Sequence, residues 1–183
     1  MRVTAGTLRG RVLRVPRVAG LRPTPARARE AMFNILGDMR ERSMLDLFAG
    51  SGIMALEAIS RGALRVVSVE ATQGAVRRMR AIQREWGVRD DRWHVLRGRV
   101  EQVLGGQLGG MHFDLVFADP PYAQGFAARL PTLLDQAMLS CEWLVIEESS
   151  RIQPAWPAAW HCDSTRRYGD TSLHFLKRCG DSQ

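Results

Sequence analysis

The sequence predicts an α/β fold: a mostly parallel sheet, closed by a C-terminal antiparallel hairpin and preceded by a small N-terminal β-hairpin and helix. Three observations predict it. From "SMLDLF" onward, short apolar runs alternate with longer amphipathic ones, the pattern of a parallel sheet covered on both faces. Two glycines sit where the first of these runs gives way to a helix. The last two apolar runs are separated only by Gly169-Asp170, a turn rather than a helix.

Each element has a local reason. "MRVTAGTLRGRVLRV" alternates around a glycine-containing centre and predicts a short β-hairpin. "LRPTPARAREAMFNIL" predicts a helix, with Thr24 as its cap and Pro25 at its first position. Met32, Ile35 and Leu36 give that helix its apolar face. Strands are expected at 44–48, 65–70, 92–96, 113–118 and 142–148, and helices at 52–61, 73–86, 99–104 and 125–137. "LGGQLGG", 104–110, is expected to be a flexible connection. "WHCDSTRRYGDTSLHFL" gives the closing pair of strands.

The 183 residues suit one domain with a proper core. The longest apolar runs, "LVFA" and "WLVI", are far too short to span a bilayer. No charged segment followed by an apolar one opens the chain, so a cytoplasmic location is expected. Three widely spaced cysteines, Cys141, Cys162 and Cys179, fit no disulfide framework, and reduced thiols are expected. Neither they nor the four histidines have metal-ligand spacing, so no metal is expected.

The net charge is +7. Residues 1–42 hold ten arginines and three acids, which accounts for all of it. The other 141 residues carry 16 basic and 16 acidic groups. Such asymmetry points to a polyanion held by the N-terminal part. The expected division is therefore a basic, RNA-binding extension over 1–42, with Arg9, Arg11, Arg14 and Arg22 as contacts, and a catalytic domain over 43–183. The bland alternative is codon bias, since Lys177 is the only lysine, but bias does not explain clustering in one quarter of the chain.

"LDLFAGSGIMALEA", 45–58, carries Gly50 and Gly52 at the strand-to-helix turn. Glycine lets a ligand approach the backbone, and the following helix offers unpaired N–H groups. Glu70 closes the second strand twenty residues after Gly50. In a doubly wound sheet those two strand ends border one crevice. A carboxylate there can accept both hydroxyls of a ribose, each charge-assisted bond contributing ~1.5–3 kcal/mol. Gly50-x-Gly52-x-x-Ala55 also fits a nicotinamide dinucleotide. Asp46, four residues before Gly50, argues against it, because it would repel a pyrophosphate and attract a cationic sulfonium. S-adenosylmethionine is the expected cofactor.

Asp119-Pro120-Pro121-Tyr122 leaves the fourth strand at the same crevice. Two prolines give a stiff loop with acceptors and almost no donors: the Asp119 carboxylate and the Pro120 carbonyl. That suits an exocyclic amine, whose two N–H bonds need acceptors. Tyr122 offers a ring on which a base can stack, worth ~1–3 kcal/mol. The amine nitrogen becomes positive as it is methylated, so the acceptors bind more strongly in the transition state.

These segments together resemble a family. "RVTAGTLRGR", "LRPTPARAREAMFNIL", "LDLFAGSGIMALEAISRGA" and "DLVFADPPY" are similar to the bacterial small-subunit (16S) ribosomal RNA guanine-N2 methyltransferases, the RsmD-like family. The likeness runs in order from Arg2 to "YGDTSLHFL". It implies a Rossmann-like class I S-adenosylmethionine-dependent methyltransferase, acting as a monomer on 16S rRNA or the small ribosomal particle, with no membrane and no metal. It implies Asp119, Pro120, Pro121 and Tyr122 as the catalytic loop. It implies Asp46, Phe48, Ala49, Gly50, Ser51, Gly52 and Glu70 around the cofactor, with Arg22 and Thr24 near the mouth. Two positions depart from the family pattern: Thr72 where an acid is common, and Arg99 where Asp or Asn often meets the adenine. Backbone near Val100 is expected to replace the latter contact. A DNA adenine-N6 methyltransferase shares the D-P-P-Y loop, but no segment is left for a DNA-recognition domain. A non-catalytic RNA-binding protein with the same fold is a third reading, against which the intact Asp119 and glycine turn argue.

Overall fold

The computed structural model of the protein describes residues 1–14, 25–121 and 125–180. Its centre is a seven-stranded sheet. Strands β1 (Ser43–Leu47), β2 (Arg65–Glu70), β3 (Trp93–Arg97), β4 (His112–Ala118) and β5 (Ser140–Ser149) run parallel, and β6 (Trp160–Tyr168) and β7 (Thr171–Arg178) run antiparallel. The spatial order is β3-β2-β1-β4-β5-β7-β6. Crossover helices α2 (Ile53–Ser60), α3 (Gln73–Glu85), α4 (Val100–Gly105) and α5 (Phe126–Gln136) join the parallel strands. The strand order reverses between β1 and β4, so the carboxyl ends of those strands open a crevice.

Alternation along the strands builds two cores. Met44, Leu115, Phe117 and Val145 face one side, packed with α2, α3 and helix α1 (Ala26–Leu36). Leu45, Leu47, Val116, Ala118 and Ile146 face the other, packed with α4 and α5. The N-terminal extension is part of the first core, because Val3, Leu13, Ala28, Met32 and Phe33 are all buried in it.

The expected strands and helices are all present, with ends moved by one or two residues. Three local expectations change. The N-terminal hairpin is closed by a single bridge, Arg2 to Val12, because residues between them turn inward onto α2: Thr7 N–H donates to Ser60 O and Leu8 N–H to Ser60 Oγ. Pro25 stands at the cap of α1 with extended backbone (φ −55°, ψ 142°) and Ala26 is the first helical residue; Thr24 lies outside the described residues. The connection 104–110 is anchored rather than flexible, since Leu104 and Leu108 are buried and Gly110 N–H donates to Ala137 O. Among the described residues no helix is long and apolar enough to cross a membrane.

Candidate active site

The crevice is built from the turn after β1. Phe48, Gly50 and Gly52 all have positive φ, at 59°, 53° and 76°. The turn is held by Ala49 N–H to Val69 O and by Gly52 N–H to Ala49 O. Phe48 meets Phe126 edge-on at 4.9 Å, which ties this strained residue to α5. The two glycines do different jobs. A Cβ on Gly50 would meet nothing nearer than Phe48 O at 3.8 Å, so its outer face is open to a ligand. A Cβ on Gly52 would lie 2.8 Å from the Trp93 ring and 2.9 Å from Met79. Gly52 is thus required by packing, not by ligand space as its place in the motif suggests. Ser51 Oγ accepts Ile53 N–H at 3.3 Å and reaches Met1 Sδ at 3.5 Å.

Glu70 closes β2 beside this turn. Its Oε2 accepts Gly50 N–H at 2.9 Å and its Oε1 accepts Thr72 N–H at 2.6 Å. Each oxygen keeps a lone pair free for a hydroxyl. Glu70 therefore also fixes the glycine turn. Gly98 N–H donates to Glu70 O at 3.1 Å, which brings the start of α4, with Arg99 and Val100, to the same rim; the Val100 side chain is buried.

Three carboxylates share one face of the rim. Leu47 pairs with Ala118, and Ala118 with Ile146, so Asp119 and Glu147 stand next to each other one residue further on. Asp46 is on the same face of β1, beside Phe117. Asp46 is 1% exposed and Glu147 0%. Burial pushes the Asp46 carboxyl up to about 7, against the opposing pull of hydrogen bonds from Ser68 and from the Ala55 N–H of α2. Ser68 is oriented in turn by the Trp93 indole N–H at 2.9 Å. Burial, and then the charges of Glu147, Asp46 and Glu148, push Asp119 up to about 8. Such excess negative charge in a desolvated crevice favours protonation unless a cation enters.

Counter-charge comes from the N-terminal extension. Arg29 of α1 is 2% exposed and donates to Arg2 O at 2.8 Å. It feels the charges of Glu57 and Glu147. Glu57, fully buried on α2, accepts Thr4 N–H at 2.9 Å and the Thr4 hydroxyl, and pairs with Arg61 at 3.7 Å. Arg61 also lies over the Phe33 ring at 5.0 Å. Sequence reasoning missed Glu57, Glu147 and Arg29. A lone acid inside the otherwise apolar "IMALEAIS", and "EE" closing the buried "WLVIEE", were the available signals.

The sequence-predicted site residues Asp46, Phe48, Ala49, Gly50, Ser51, Gly52, Glu70, Val100 and Asp119 gather at this rim, with Pro120 buried and Pro121 exposed beside Asp119. Arg22, Thr24 and Tyr122 lie outside the described residues. Arg9, Arg11 and Arg14 are exposed. Other described arginines of 1–42 are engaged in structure: Arg29 in the core, Arg40 with Asp38, Arg42 with Glu142 at 3.6 Å, and Arg2 with Gly10 O at 3.3 Å; exposed Arg11 also donates to Trp86 O at 3.4 Å. Among the described residues, no group of three or more His, Cys, Asp or Glu side chains is placed to hold a metal.

A sheet in this order, with a glycine turn after β1, an acid closing β2 and D-P-P leaving β4, defines the fold of the S-adenosylmethionine-dependent methyltransferases, and the chain is a methyltransferase. It belongs to the family described as Conserved hypothetical protein 95, which matches residues 1–177. It is 32% identical to the ribosomal RNA small subunit methyltransferase D of Escherichia coli K12, over 97% of this chain and 90% of that one. Its identity to the protein of the same name from Haemophilus influenzae is 31%, over 84% and 81%. The solved structure of the candidate methyltransferase yhhF from Escherichia coli superposes with a TM-score of 0.84 at 28% identity, covering 97% of each chain.

Proposed function

We propose that the chain transfers a methyl group from S-adenosylmethionine to the exocyclic N2 of a guanine in small-subunit ribosomal RNA. The observation that carries this reading is Asp119, desolvated at the tip of β4 and followed by two prolines, at the crevice that Gly50 and Glu70 border. The relatives named for small-subunit ribosomal RNA support the substrate class. The family resemblance selects guanine N2.

The residues fit a cationic methyl donor. Asp46 and Asp119 crowd negative charge into one dry crevice, and Gly50 leaves its outer face open. Bound there, the donor supplies an electrophilic methyl group. Phe48, Ala49, Gly50, Ser51 and the backbone at Val100 line its place, Glu70 accepts its ribose hydroxyls, and Asp46 faces its positive end. Gly52 acts indirectly, by seating α2. Asp119 and the Pro120 carbonyl accept the two N–H bonds of the target amine and turn its lone pair outward. An acid whose proton affinity is poised near neutrality is also suited to take the proton that the methylated nitrogen sheds. The exposed Arg9, Arg11 and Arg14 of the 1–42 extension, with Arg22, hold RNA phosphates. The protein works as a cytoplasmic monomer on the RNA or its assembled particle.

The test is direct. Incubate the protein with labelled donor and either unmodified small-subunit particles or duplex DNA, then digest to nucleosides. Label in N2-methylguanosine is the expected result. Label in N6-methyladenine of the DNA, with none in the RNA, overturns the reading. Replacing Arg9, Arg11 and Arg14 by glutamate is expected to flatten the salt dependence of RNA binding, by up to ~0.7 per lost contact to a single strand. An unchanged slope would remove these arginines from the RNA interface.

A further inference from the structure

Residues 43–183 are neutral as a whole, but their charge is not evenly spread. Residues 73–99 hold eight arginines and three acids, a net +5. This segment is α3, the following turn and β3, and β3 is an edge strand of the sheet. Two side chains of α3 already cover the open edge: Gln83 Nε2 donates to Trp93 O at 2.6 Å and Arg80 Nη2 to Val95 O at 3.0 Å. A hollow of about 370 Å³ lies between helix and strand, lined by Arg80, Arg84, His94 and one acid, Asp90, among others.

Not all of the charge is available. Arg89 is paired with Asp91, and Arg92 donates to Ile59 O and Ala63 O. Arg77, Arg84, Arg97 and Arg99 are exposed and have no ion-pair partner among the described residues. Their placement is ordered. Arg97 pairs in register with Glu70, so Arg97 and Arg99 stand at the crevice rim. Arg84 lies at the other end of α3, next to Trp86. There Arg11 of the N-terminal turn lies over the Trp86 ring at 5.3 Å and donates to Trp86 O at 3.4 Å. A 13-residue helix is ~20 Å long. The basic strip therefore runs that distance, from the arginines of the N-terminal turn to the edge of the site.

We infer that this α3–β3 edge is a second RNA-contacting surface, which holds the phosphodiester backbone flanking the target base and guides it from the N-terminal turn to the crevice. The inference rests on the reading of an RNA substrate. Unpaired guanidinium groups bind phosphate by charge-assisted, often bidentate, hydrogen bonds. A concave strip in which arginines outnumber acids, with Asp90 the one carboxylate in the lining of the hollow, also concentrates a polyanion there. The competing explanation is that charge on an edge strand only prevents sheet-to-sheet association.

The experiment compares two charge-matched double variants. One is Arg77→Glu with Arg84→Glu. The other is Arg166→Glu with Arg167→Glu, exposed residues of β6 at the opposite edge of the sheet. Binding of a short RNA hairpin is followed by fluorescence anisotropy over a range of salt, with calorimetry of S-adenosylmethionine and sedimentation as controls. The α3 variant is expected to lose RNA affinity and to show a shallower salt slope, by up to ~0.9 per lost contact to a duplex. The β6 variant should keep the wild-type slope, and both should bind the cofactor normally. Equal slopes in the two variants overturn the proposal. So does self-association of the α3 variant with an unchanged slope, which would assign the strip to edge protection. A wild-type protein that makes no N2-methylguanosine, yet shows the slope difference, fails the target-base reading while the strip stands.

Discussion

The two faces of the sheet end differently at the rim. On the face toward α4 and α5, β1, β4 and β5 reach their tips through Leu47, Ala118 and Ile146. Its acid, Glu148, is occupied by Ser149 N–H at 2.7 Å. On the face toward α1 and α2, the same strands end in Asp46, Asp119 and Glu147. Three desolvated carboxylates within one rim would be strongly unfavourable unless something offset them. Asp46 and Asp119 meet this by holding protons, and Glu147 by the charge of Arg29, which the N-terminal extension brings as it covers this face. The extension, basic on its outside, thus also supports the chemistry from within.

The largest effect should come from removing that offset. Arg29→Met is expected to destabilise the fold by ~3–5 kcal/mol, the usual cost of leaving buried charge unmatched. At ~2–4 °C per kcal/mol for a chain of this size, the melting temperature drops by roughly 10 °C. Adding Glu147→Gln should recover part of the loss. A single variant as stable as the parent would show that the faces differ only in shape. Next is Asp119→Ala, which should keep cofactor affinity and lose turnover. By analogy with an oxyanion-hole donor, the barrier rises by ~2.7–4 kcal/mol. Near-normal turnover would place the reacting amine elsewhere.

The glycines sharpen the comparison further. Gly52→Ala should lower stability by ~1–3 kcal/mol through overpacking against Trp93 and Met79, in addition to the ~1–2 kcal/mol of a left-handed alanine. Gly50→Ala should cost only the ~1–2 kcal/mol of a left-handed alanine, and should weaken cofactor binding. Unfolding curves and calorimetry separate the two. The reverse pattern would exchange their roles.

The two faces also differ in how they respond to pH. The carboxyls of Asp46 and Asp119 lie above their unfolded values, near 7 and 8. The folded chain therefore binds more protons than the unfolded one between pH ~4 and those values. Their contribution is present in full below pH ~4 and is lost as pH rises through 7 and 8. The melting temperature of the ligand-free protein should fall across pH ~4–8, and Asp119→Asn should flatten the upper part of the fall. A parallel decline in that variant would assign the titration to another group.

Much of this was legible in the sequence. The parallel strands and their helices announce themselves by period, and Asp46, Gly50, Glu70 and Asp119 by their distance from strand ends. What was hidden depends on contacts between distant segments. Glu147 meets Asp119 only through the β4–β5 register, and Arg29 meets Glu57 and Glu147 only because α1 folds back over the sheet. The role of Gly52 is set by Trp93, forty-one residues away, and no local pattern carries that. The strip on α3 was concealed by summing charge over the whole neutral remainder.

The last strand has a consequence for how the molecule is made. β7 is inserted between β5 and β6, and pairs antiparallel with both. Until Thr171–Arg178 is available, β5 has one bare edge and β6 has no partner at all. A nascent chain paused after Tyr168 therefore exposes the backbone of "WLVIEE" beside the finished parallel sheet. Bare apolar edges of this kind recruit other chains. A fragment ending at Tyr168 should aggregate, and added peptide of the β7 sequence should suppress it. Completion of the sheet is thereby tied to the synthesis of residues 171–178.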